Sequence, residues 1–115
     1  MINPDNHVVP SAPPRNLVIL PLDKNSLQVS WERPEPKDVN GVLRLYSVKY
    51  CLPVRGLDST VTTNCTQFNV TGTENSVFLT SLKESTTYTV SVAAFTVGFG
   101  PAATRSARTG QSLMQ

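Results

Sequence analysis

Cys51 and Cys65 are the residues of this chain best suited to covalent chemistry. They lie fourteen positions apart. That is neither the close ligand spacing of a zinc site nor a C-x-x-C redox pair, which leaves a disulfide or two thiols. Two Asn-x-Thr sequons sit beside them, Asn64-Cys65-Thr66 and Asn69-Val70-Thr71. One such tripeptide is common by chance. Two in close succession, next to a cysteine pair placed for bridging, favour a secreted context. A nucleophile needs a base within hydrogen-bond reach, and a metal needs converging ligands. The one histidine, His7, stands far from any such group near the amino end. Glu32, Glu35 and Asp38 cluster near one Pro-rich stretch and read as a solvated loop. No phosphate-binding, zinc-protease or nucleophile-elbow motif occurs. The expectation is therefore no catalysis, no cofactor and no metal site within these residues. The remaining candidates are Arg55, Asp58 and Phe99, which suit protein contact rather than reaction.

Composition sets further bounds. With 115 residues the chain is one domain by length, long enough to bury a core. Charged residues make up 16% and the net charge is +2, with no basic stripe interleaved with aromatics. Nucleic acid is not an expected partner. No apolar run approaches the ~18 residues a membrane span needs. The first residues lack a signal peptide's basic and apolar regions, so an extracellular chain would be an excised piece beginning at an added Met1.

These candidate residues must be positioned by strands, because period-two alternation dominates the chain. Tyr88, Val90, Val92 and Ala94 alternate with Thr89, Ser91 and Ala93, which makes one face apolar and the other small and polar. Leu27, Val29 and Trp31 share one face of a strand, and Tyr46, Val48 and Tyr50 share a face of the next. Strands are also expected over 16–20, 60–70, 76–82 and, weakly, 102–108. Loops are expected over 33–41, around 55–58 and over 97–101, with a linker or disordered lead-in over 1–12 and a second linker over 110–115. Seven short strands separated by turns, without a useful helical period, predict an all-β, seven-stranded antiparallel sandwich. Tyr88 follows Leu82 and a Ser/Thr/Glu turn, so its hydroxyl is expected to reach back to that turn's backbone as a tyrosine corner.

From Pro13 to Thr109 these motifs resemble the fibronectin type III domain. Pro14-Arg15-Asn16-Leu17 is similar to the family's opening of strand A, and Trp31 stands where the family keeps its core tryptophan on strand B. Asn40 to Tyr50 resembles strand C. Leu79 to Leu82, with Thr86, Tyr88, Val90, Val92 and Ala94, resembles strands E and F with their corner. Gly98-Phe99-Gly100-Pro101 is similar to the F–G loop, although the stretch before it is a residue shorter than usual. An immunoglobulin domain is disfavoured, because its tryptophan lies on strand C against a B–F disulfide. The resemblance implies a non-catalytic extracellular adhesion, spacer or protein-binding module, one of several in a membrane-anchored cell-surface receptor. Its partners would be proteins, adjacent domains of the same chain among them. The alternative is an intracellular structural module of a cytoskeletal or muscle protein, which predicts free thiols and no glycan. Arg55-Gly56-Leu57-Asp58 is similar to integrin-binding tripeptides, but Leu57 interrupts the order and a plain turn explains the Gly and Asp.

Parity then separates the two fates of the cysteines. With Tyr46, Val48 and Tyr50 inward, Cys51 faces out; with Phe68 and Val70 inward, so does Cys65. A hairpin that opposes them brings the α-carbons within disulfide reach and places Leu57-Asp58-Ser59 at its tip. The expected outcome is a solvent-face disulfide, whereas a cytosolic chain would leave two thiols free. The same parity makes outward Asn69 a better glycan acceptor than Asn64, which points nominally inward.

Overall fold

The computed structural model describes residues 8–110. Seven strands appear among them: β1 (Arg15–Asp23), β2 (Ser26–Glu32), β3 (Leu45–Arg55), β4 (Val61–Thr71), β5 (Ser76–Leu79), β6 (Thr87–Phe95) and β7 (Phe99–Arg108). They form two antiparallel sheets, a three-stranded one ordered β1-β2-β5 and a four-stranded one ordered β4-β3-β6-β7. This is the expected sandwich.

The core follows from the alternation. Leu27, Val29 and Trp31 from β2 meet Tyr46 and Val48 from β3 and Tyr88, Val90, Val92 and Ala94 from β6, all buried. Leu17 and Leu79 complete the inner face of the smaller sheet. The Trp31 and Tyr46 rings meet edge-on with centroids 5.2 Å apart, a geometry their quadrupoles favour. Tyr50, Phe68 and Val70 pack on this core from its margin, half-buried.

Several local expectations change. The stretch 33–41 contains one helical turn, α1 (Pro36–Val39), whose Val39 is buried. Pro at the first helical position and Asn40 in the left-handed conformation after the last one are the signals that announce it. β7 begins at Phe99, so the F–G connection is the tight turn Thr96-Val97-Gly98, not a loop over 97–101. β1 runs longer than expected and β5 shorter, with Leu82 buried in the turn beyond it. The lead-in also divides. Residues 1–7 and 111–115 lie outside the described residues, whereas Val8 to Ser11 is bonded to the sandwich as detailed below. His7 falls in the first of those stretches.

Candidate functional site

The β3–β4 hairpin carries the covalent chemistry. Cys51 opposes Cys65 and the two form a disulfide, with α-carbons 4.1 Å apart. Such closeness marks a pair that exchanges no backbone hydrogen bonds. Bonds at both ends of the hairpin agree with this phase: the Gly72 amide donates to the Arg44 carbonyl at 2.9 Å, and the Gly56 amide to the Thr60 carbonyl at 2.7 Å. Even-numbered pairs are therefore the hydrogen-bonded ones, and Cys51–Cys65 is not. Cys65 is exposed and Cys51 half-buried, so the bridge lies on the outward face as parity demands.

Asn69 is exposed on that same face, opposite the buried Ser47. Asn64 is exposed as well, which departs from its nominally inward direction. The reason is that every β4 residue from Val61 to Gln67 is exposed, on both faces. Tyr50 and Leu52, opposite Thr66 and Asn64, still pack on the core, so it is the place of β4 at the edge of its sheet that leaves these inward positions uncovered. Both sequons are thus sterically open.

The hairpin tip is a built turn. The Asp58 carboxylate accepts from the Thr60 hydroxyl at 2.6 Å and from the Thr60 amide at 3.1 Å. These bonds, the hydroxyl first, hold the Asp58 carboxyl below the usual aspartate value of 3.8. Ser59 takes a positive φ of 70° to close the turn. Asp58 is therefore engaged by its own loop, as an Asx turn requires, while Arg55 and Leu57 stand in solvent.

The opposite end of the sheet carries the second group of candidates. Leu45, at the start of β3, opposes Phe95, and Phe95 opposes Phe99. The two phenyl rings meet edge-on at 4.8 Å, and Phe99 remains 47% exposed. Phe99 is thus a strand residue leaning on Phe95 rather than a loop tip. The turn beside it is closed by the Thr96 amide donating to the Gly98 carbonyl at 3.1 Å. Val8 to Ser11 lies against this end. The Thr96 hydroxyl donates to the Val8 carbonyl at 3.1 Å, the Asn40 side-chain amide to the Val9 carbonyl at 3.1 Å, and the Ser11 amide to the Asp38 carbonyl at 2.8 Å. Pro10 is buried. Gly100 makes this approach possible, because a Cβ there would stand 2.5 Å from the Pro10 carbonyl oxygen. The segment 8–11 joins the B–C turn to the F–G turn, and sequence reasoning missed it because polar composition and two prolines read as linker.

Arg55 and Asp58 do not converge with Phe99. They sit at opposite ends of the 11-residue β3, which at ~3.3 Å per residue puts them more than about 30 Å apart. Among the described residues no group of three or more His, Cys, Asp or Glu could hold a metal ion, and no helix is long and apolar enough to cross a membrane.

At the β6 corner, the Lys83 amide donates to the Tyr88 hydroxyl at 2.8 Å, so the tyrosine corner is formed as expected. Residues 12–109 match the fibronectin type III domain. The chain belongs to that family. Human neogenin is 36% identical to this fibronectin type III chain over 95 residues, covering 82% of the chain and 6% of neogenin. The receptor-type tyrosine-protein phosphatase F of Bos taurus is 32% identical over 95 residues, covering 76% of the chain and 4% of that protein. The chain thus spans only a small part of the length of these relatives. Among solved structures, the FN5 domain of Drosophila Lar superposes with a TM-score of 0.67 at 24% identity, covering 90% of this chain and all of that one.

Proposed function

We propose that this domain is a non-catalytic, extracellular adhesion, spacer or protein-binding module of a larger, membrane-anchored cell-surface receptor. The observation that carries the reading is the solvent-face Cys51–Cys65 disulfide on a strand that also displays Asn64 and Asn69. A disulfide persists in an oxidising compartment, and sequons are used there. The match to neogenin and to a receptor-type phosphatase agrees with this setting. In a parent of that kind, catalysis would belong to another domain. Residues 13–109 are the folded module and the flanking stretches connect it to neighbours, with residues 8–11 clamped against the B–C and F–G turns. Protein contact falls to two separate surfaces, the hairpin tip with Arg55 and the far end with Phe99.

Expression of the chain through the secretory pathway of mammalian cells tests this. The secreted protein is expected to carry N-glycan on Asn69, with Asn64 as the lesser acceptor, lost as a mass shift on enzymatic deglycosylation. Unreduced, denatured protein is expected to show no titratable thiol. Two free thiols and no glycan would move the assignment to the intracellular structural alternative.

A further inference from the structure

We propose that the outer edge of β4 is a pairing edge that takes the β4 strand of a second copy of this chain. β4 ends the four-stranded sheet and, among the described residues, pairs only with β3. The phase of that pairing is set by the close Cys51–Cys65 pair and by the Gly72–Arg44 and Gly56–Thr60 backbone bonds. Even-numbered residues of β4 turn their amides and carbonyls toward β3. Odd-numbered ones, Thr63, Cys65, Gln67 and Asn69 among them, therefore direct theirs away from the sheet. A row of unpaired donors and acceptors is a template for another strand.

Natural sheets blunt such edges with short strands, charges, prolines or a covering element. The other three edges of this sandwich are managed in these ways. β5 is only four residues long. β1 and β7 lie against each other, with the Arg105 guanidinium donating to the Leu17 carbonyl at 3.2 Å. β7 also contains Pro101 and Arg108. Among the described residues β4 has none of these devices. It is 11 residues long, has no proline, and no charged residue occurs between Asp58 and Glu74. Threonine and valine, strong strand formers, supply half of it. The neutrality of the edge selects the occupant. A second β4 laid antiparallel opposes no like charges, whereas a charged segment would find no complement. At full overlap Val61 lies opposite Thr71, Thr63 opposite Asn69, and Cys65 opposite Gln67 of the second copy, and the odd-numbered backbone groups bond in pairs. The two sheets then continue as one.

The test uses the 115-residue chain in oxidised, non-glycosylated form, so that its outcome is independent of the glycan assignment. Sedimentation equilibrium is expected to show reversible dimerisation with Kd below about 1 mM. Thr63→Pro removes one outward amide that β3 does not use, a position where an edge strand accepts proline. Gln67→Lys brings two lysines together across the two-fold axis. Each variant is expected to stay folded with its disulfide intact, Gln67→Lys at a somewhat lower unfolding midpoint because it gives up the Gln67 amide's bond to the Ser47 hydroxyl, while weakening dimerisation at least about tenfold. A wild-type chain that stays monomeric at about 1 mM, or a dimer that persists unweakened in either folded variant, would overturn the proposal.

Discussion

Replacing both Cys51 and Cys65 by alanine measures how much the hairpin bridge constrains the chain. The two residues are 14 positions apart, and a closed loop of about 15 residues restricts the unfolded ensemble by roughly 3 kcal/mol at 25 °C. Little else should change in the folded state. Cys65 is exposed and Cys51 half-buried, so truncating them opens no core cavity, and the β-ladder on either side has its own backbone bonds. The expected loss is therefore about 2–3 kcal/mol, against about 5–15 kcal/mol for a typical whole domain. For a domain near 100 residues, at about 4 °C per kcal/mol, the melting temperature should fall by roughly 8–12 °C. The assay is urea unfolding followed by the fluorescence of Trp31, which is the sole tryptophan and buried, with calorimetry for the midpoint. A loss below about 1 kcal/mol would refute the reasoning, because the bridge would then not restrict the unfolded chain as its loop length requires.

Tyr88→Phe deletes the hydroxyl that accepts the Lys83 amide and leaves a partly buried donor unsatisfied; urea unfolding should show a loss of about 1–2 kcal/mol with the fold intact. A larger deletion tests the centre of the sandwich. Trp31→Ala removes a side chain only 2% exposed and in ring contact with Tyr46, so a loss of about 3–5 kcal/mol is expected by circular dichroism in urea. A loss under about 1 kcal/mol would contradict the burial of that face.

Much of the sandwich was legible in the sequence because strand periodicity is a local property. Tyr88, Val90, Val92 and Ala94 must share a face wherever the strand lies, and so must Leu27, Val29 and Trp31. The register of the hairpin followed from the same rule, since a slip by one residue would expose Tyr46 and Val48 and bury Lys49. The facing cysteines were therefore readable as a bridge. Only the tertiary structure decided what parity could not reach. Asn64 is exposed because β4 is the edge of its sheet, beyond the core that still reaches Leu52 opposite it, a matter of how the two sheets overlap. Phe99 belongs to a strand because Phe95 stands opposite it across a three-residue turn. Residues 8–11 are held by Asp38, Asn40 and Thr96, and Thr96 is 88 positions from Val8. Such contacts depend on where the B–C and F–G turns meet in space, and no local pattern of residues encodes that meeting.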